Sequence, residues 1–124
     1  MTTERILVVD DEEPIREIIS SMLSAAGYKT RLASSGMEAL AILKSSGEFD
    51  LMLSDLMMAE LDGIALLERS KERFPDMPVI MVTAVHDISV ALAAIRNGAY
   101  DYLLKPFERE QLWPWCAGRW RLAA

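Results

Sequence analysis

Apolar positions along the chain change period in a regular order. RILVVD (residues 5–10) is a short, continuous run rich in β-branched residues, the pattern of a strand buried on both faces. From Pro14 onward, Ile15, Ile18, Ile19, Met22 and Leu23 fall on one face of a helix. Proline stands there at a tolerated first-turn position, and Gly27 stands where a C-cap glycine belongs. The cycle then repeats. YKTRLA (28–33) reads as a second, weaker strand, and Ser35 with Glu38 has capping-box spacing for a helix to about Lys44 that carries Leu40 and Leu43. DLMLSD (50–55) is a third strand and IALLERSKERF (64–74) a third helix, with Asp62-Gly63 before it read as a turn. MPVIMVT (77–83) is the most apolar strand and is expected at the centre of the sheet. Asp87 caps a fourth helix that carries Ile88, Leu92 and Ile95 and stops at Asn97-Gly98, and YDYLLK (100–105) follows as the fifth strand.

Strands alternating with single helices over short connections predict a five-stranded parallel sheet with helices on both faces. Crossovers of one hand make this a doubly wound α/β domain. Sites in such sheets form outside the carboxyl ends of the strands, where the strand order reverses.

Composition narrows the function classes. At 124 residues the chain fits one domain with a real core. A net charge of −6 argues against non-specific nucleic-acid binding, which needs a basic surface. The single cysteine, Cys116, excludes an internal disulfide and suits a reducing compartment. MTTERILVVDD has acids where a secretory leader needs apolar residues, and no run approaches the ~20 apolar residues that span a bilayer. The expectation is a soluble, cytoplasmic protein.

The first strand runs directly into four acids, Asp10, Asp11, Glu12 and Glu13. Two carboxylates ~4 Å apart repel by about 4 kcal/mol at an effective dielectric near 20, so something must offset them. The other strand ends supply candidates: Asp55 after the third, Thr83 after the fourth and Lys105 after the fifth. Three carboxylates at one edge suit a hard divalent cation such as Mg²⁺ or Mn²⁺. A hydroxyl and an ammonium add donors for an anion. Acids, Mg²⁺ and lysine together are what phosphoryl transfer requires, because its catalysis is mostly positioning and charge neutralisation. One of the carboxylates can then be a nucleophile that forms an aspartyl phosphate.

Each residue also has an ordinary structural role. Acids favour a helix N-terminus, Thr83 can satisfy backbone groups at a strand end, and Tyr102 can simply pack. His86 is the only histidine, which leaves it a surface loop residue rather than a zinc ligand, and the eight methionines read as core filling.

The set VVDDEE, LSDLMMAELDG, VIMVTA and YLLKPF resembles the receiver domain of bacterial two-component response regulators, over residues 5 to about 112. The resemblance implies a flavodoxin-like fold. It also implies that Asp55 accepts a phosphoryl group from a sensor histidine kinase or phosphotransfer protein. Asp10, Asp11, Asp55 and the backbone carbonyl of Met57 would hold Mg²⁺, directly or through water. Lys105 would pair with the phosphate. Thr83 would hydrogen-bond a phosphate oxygen and carry the conformational signal, with Ala84 small enough to leave access and Tyr102 at the aromatic position that swings inward. A cis peptide is the family's habit at Lys105-Pro106. Such a domain is a signalling switch that catalyses only its own phosphorylation and dephosphorylation.

Two stretches depart from the family's pattern. Ala59 stands where the family has proline, which removes a fixed φ and predicts a looser loop and slower chemistry. The fifth helix can start near Glu108, but Pro114 should end it. All three tryptophans lie between 113 and 120, so 113–124 reads as a foreign or truncated tail after a receiver domain at 1–112. The family's homodimer and output contacts on its last two helices are therefore not carried over. Two rival readings are disfavoured. A Mg²⁺-dependent aspartyl phosphatase, with its nucleophile on the first strand and a second acid two residues on, is disfavoured because position 12 is Glu and no substrate-capping insertion exists. A receiver-like docking module that works without phosphorylation is disfavoured by the intact acids, threonine and lysine.

Overall fold

The computed structural model describes residues 4–46, 49–56, 58, 62–84 and 88–105. Five strands, β1 (Arg5–Val9), β2 (Lys29–Ala33), β3 (Leu51–Asp55), β4 (Val79–Ala84) and β5 (Asp101–Lys105), alternate with helices α1 (Glu13–Ala25), α2 (Gly36–Ser46), α3 (Gly63–Arg73) and α4 (Ile88–Arg96). Each element lies within two residues of the span its apolar pattern predicts. The strands are all parallel, in the order β2-β1-β3-β4-β5. The chain steps outward from β1 to β2 and then to the other side of β1 for β3, so the order reverses between β1 and β3. One expectation is corrected: MPVIMVT does not hold the middle of the sheet. That place belongs to β3, all five of whose residues are buried, and β4 lies beside it.

Alternation along the strands divides the core in two. Ile6, Val8, Leu51, Leu53, Ile80, Val82 and Leu103 face Ile19 and Leu23 of α1. On the other face Leu7, Val9, Met52, Val79 and Met81 meet Leu40 and Leu43 of α2, Leu66 and Leu67 of α3, and Ala91 and Ala94 of α4. Helices therefore cover both faces, as a doubly wound sheet requires.

The helices differ from expectation in what they bury. On α4 only Ile95 of the predicted apolar stripe packs against the core, and it is partly buried. Ala91 and Ala94 are fully buried, whereas Ile88 is 37% and Leu92 45% exposed. Small residues let the helix approach β4 and β5 closely, and that approach decides which face turns inward. Ile18 of α1 is likewise half-exposed. Asp62-Gly63 is not a free turn but the start of α3: Asp62 is the N-cap, its carboxylate accepting from the Ala65 N–H at 2.9 Å. At α2 the Ser35 hydroxyl accepts from the Glu38 N–H at 3.1 Å, but Glu38 reaches back to the N–H of Ser34 rather than Ser35.

Both glycine stops hold. Tyr28 N–H donates to the Leu23 carbonyl and Gly27 N–H to that of Ser24; Ala99 and Gly98 repeat the pattern on Ala94 and Ile95. These are Schellman closures, with Gly27 at φ +95° and Gly98 at φ +108°. The expected fifth helix with its stop at Pro114, the 113–124 tail, and the expectations placed on Met57, Ala59, His86, Asp87 and Pro106 all fall outside the described residues. Among the described residues no helix is long and apolar enough to cross a membrane.

A side chain at Gly27 meets nothing within 4 Å, so Gly27→Ala tests backbone conformation alone. The substitution should lower unfolding free energy by about 1 kcal/mol, the cost of a left-handed L-residue, in urea melts with an unchanged m-value.

Candidate functional site

Strand register brings the expected residues to the same edge of the sheet, within two residues of one level. Val9 pairs with Ser54, Asp55 with Val82, and Ala84 with Lys105. Asp10 leaves β1 beside the end of β3, where Asp55 is the last residue; Thr83 lies one step beyond the Val82 level on β4, and Lys105 ends β5. Lys105 is three strands from Asp10, roughly 14 Å of backbone separation at normal strand spacing. Its long side chain closes that gap.

The Lys105 ammonium lies 3.1 Å from Asp10 Oδ2, 3.4 Å from Asp55 Oδ1 and 4.0 Å from Glu12 Oε1. Asp10 and Asp55 are buried, at 1% and 5% exposure, while Asp11 is exposed. Carboxylate oxygens of Asp10, Asp11 and Asp55 all come within 4.8 Å of one another. The opening run of acids is thus resolved unequally: one is buried and paired with a cation, and the next three face solvent. Burial by itself pushes the Lys105 ammonium down, but the hydrogen bond to Asp10 and the charges of Asp55 and Asp10 outweigh it. Its pKa is raised above the usual 10.5.

Asp10 is held at every polar atom the structure records. Its N–H donates to the Ala33 carbonyl at 3.1 Å, tying it to the end of β2. Its Oδ1 accepts the Glu12 N–H at 2.9 Å, which turns the chain into α1. Its carbonyl accepts from Arg16 Nη1 at 2.7 Å. Arg16 is a residue that sequence reasoning missed. The available signal was its place as the lone cation in the first turns of a helix whose start is acidic, where the macrodipole favours anions.

Thr83 is buried, at 1% exposure. Tyr102 is half-buried, pairs with Met81 and packs on the α2–α4 side of the sheet. Thr83, two residues after Met81, points to that same face, so the two expected switch residues are diagonal neighbours. Met57 lies outside the described residues. A cavity of about 320 Å³ lined by Phe49, Arg73, Phe74 and Met77 belongs to the opposite, amino-terminal edge of the sheet, away from this cluster.

The donor set fits a hard divalent cation: all-oxygen, anionic and converging, with Asp11 open to solvent. Both carboxylate oxygens of Asp10 already have partners. Asp10 is therefore better suited to hold a hydrated ion through water than to ligate it directly.

Comparison with known proteins gives matches in both sequence and fold. A family model described as the response regulator receiver domain matches residues 6–114. The DNA-binding transcriptional regulator NtrC of Salmonella typhimurium is 42% identical over 106 residues, covering 86% of this chain and 22% of that protein. The probable transcriptional regulator ycf27 of Porphyridium aerugineum is 41% identical over 112 residues, covering 90% of this chain and 46% of its own length. This chain thus spans about a quarter to a half of the curated relatives it matches. The crystal structure of the NtrX receiver domain from Brucella abortus superposes with a TM-score of 0.88 at 38% identity, covering 96% of this chain and 99% of that one.

Removing the cation should expose what it offsets. Lys105→Met leaves two buried carboxylates facing each other and should cost about 1–3 kcal/mol at pH 7. Because the folded-state pKa of Lys105 is raised, its contribution is fully present below 10.5 and fades as pH climbs through the higher folded value. The gap between wild type and variant in urea melts should hold steady from pH 7 to about 10 and narrow above that.

Proposed function

The chain belongs to the response regulator receiver domain family, and we propose that Asp55 is its phosphoacceptor. The observation that carries this reading is the convergence of three carboxylates and one ammonium at the carboxyl ends of β1, β3 and β5. Asp55 is the acid of this group that ends the central strand, where parallel strands on both sides fix its backbone.

Asp55 attacks the phosphorus of a phosphohistidine on a sensor kinase or phosphotransfer protein. The new O–P bond forms as the P–N bond breaks, and the bonding pair leaves with the imidazole nitrogen, which takes up a proton. Asp10, Asp11, Asp55 and the Met57 carbonyl would hold Mg²⁺ or Mn²⁺, Asp10 through water. The ion, when bound, offsets the repulsion between the acids and the charge on the phosphoryl oxygens. Lys105 is already placed to follow the charge: it exchanges its contact with the Asp55 carboxylate for a phosphoryl oxygen. Thr83 donates its hydroxyl to another phosphoryl oxygen. That movement vacates space on the α2–α4 face of β4, and Tyr102 on the neighbouring strand repacks into it. The domain thereby shifts between two packings of its last strands and helices, to control an output carried by other parts of a longer protein or by a partner.

Incubation with a small phosphodonor and Mg²⁺ should add one phosphoryl group to the intact mass, within minutes and only with the metal present. Asp55→Asn should show no gain while melting like the wild type. A gain that persists in Asp55→Asn would move the acceptor elsewhere in the acidic cluster.

A further inference from the structure

Asp62-Gly63 is the sequence feature that the proposed chemistry leaves unused, and its geometry is informative. Gly63 is the first residue of α3 and is buried. A methyl group on its Cα would lie 2.6 Å from the Asp55 carbonyl oxygen, 2.7 Å from Leu56 Cα and 2.7 Å from Met81 Cε. Two of these three neighbours are backbone atoms of the strand that ends in Asp55. Gly27 and Gly98 are glycine for their positive φ and have open surroundings. Gly63 has no such φ, so close approach is what it supplies.

The surrounding hydrogen bonds show what the approach secures. Leu56 N–H extends the β3–β4 ladder by one step, donating to the Val82 carbonyl at 3.1 Å. The Leu56 carbonyl accepts the Gly63 N–H at 3.0 Å, and the Ser54 hydroxyl donates to the Asp55 carbonyl at 3.1 Å. The backbone on either side of Asp55 is therefore clamped between β4 and the first turn of α3, whose own start is fixed by the Asp62 cap. The same contact closes the chain between Leu56 and Gly63.

We infer that Gly63 is a positioning residue: by presenting bare backbone to Asp55 and Leu56, it lets α3 set the place of the Asp55 carboxylate relative to Asp10 and Asp11. The inference rests on the reading of Asp55 as phosphoacceptor. Carbon and oxygen need more than 3 Å between them, so a side chain here must drive helix and strand apart by the better part of an ångström. Flexing Met81 cannot relieve it, because the other two contacts are backbone. A misplacement of ~1 Å at a reacting group can cost about 100-fold in rate.

The test compares Gly63→Ala with Leu66→Ala, which hollows the buried face of the same helix and adds no atom against the Asp55 backbone. Mg²⁺ affinity is read by isothermal titration calorimetry without phosphodonor, and phosphorylation rate by intact mass at saturating Mg²⁺. Gly63→Ala should lose tenfold or more in Mg²⁺ affinity and in rate, while Leu66→Ala, though destabilised at least as much in urea, keeps both within threefold. A smaller loss in Gly63→Ala, or an equal loss in Leu66→Ala, overturns the inference. If Gly63→Ala does not fold, Gly63→Ala/Met81→Ala, which keeps only the two backbone contacts, carries the same comparison. A wild type that binds Mg²⁺ but takes no phosphoryl group refutes Asp55 as acceptor, and the calorimetric arm still decides the role of Gly63. A wild type that binds no Mg²⁺ overturns both.

Discussion

The ammonium of Lys105, held between the buried carboxylates of Asp10 and Asp55, is the contact on which the working edge of this sheet depends. It ties the last strand to the first across the whole switch point. Without it each acid would be a buried charge with an uncompensated like charge beside it, which is costly in a low-dielectric interior. Lys105 stands two residues beyond the level that Asp10 and Asp55 share, so its long side chain must reach back across the sheet to them. A slip of one residue in any register would turn Asp55 or Lys105 to the opposite face.

A cation that offsets charge without filling the site is also a cation that can be exchanged. Lys105 keeps about a fifth of its side chain exposed, and Asp11, whose carboxylate comes within 4.8 Å of those of Asp10 and Asp55, faces water. The cluster is rigid on its inner side, where Asp10 is bound through its N–H, its carbonyl and its carboxylate, and open on its outer side. That asymmetry suits a site whose anion content changes: the inner acid keeps the geometry while the outer groups respond. Thr83 and Tyr102 share one face of neighbouring strands, which gives a local change in charge a short packed route toward α4.

Signals contained in one stretch of chain were legible. Gly27 and Gly98 close their helices as their positions predict, because a left-handed residue after the last turn is a local demand. β1 and β3 follow from continuous apolar runs, since strands buried on both faces leave no polar alternation to misread. What misled were choices settled by neighbours. On α4 the larger side chains marked a stripe, yet Ala91 and Ala94 face the sheet because only small residues permit that approach. Asp62-Gly63 has the composition of a turn, but packing against Asp55 and Leu56 makes it a helix start. The bond from Arg16 to the Asp10 carbonyl depends on how α1 leaves β1.

The sequence by itself determined the order of elements, the parallel doubly wound class and the identities of the acids, hydroxyl and lysine at the strand ends, because hydrophobic period and turn chemistry act over a few residues. It could not determine distance. That Asp10 rather than Asp11 takes the lysine, that α3 sits directly on the Asp55 backbone, and that alanine rather than leucine turns inward on α4 are outcomes of register and close packing. These join residues up to 95 positions apart, and no local pattern encodes them.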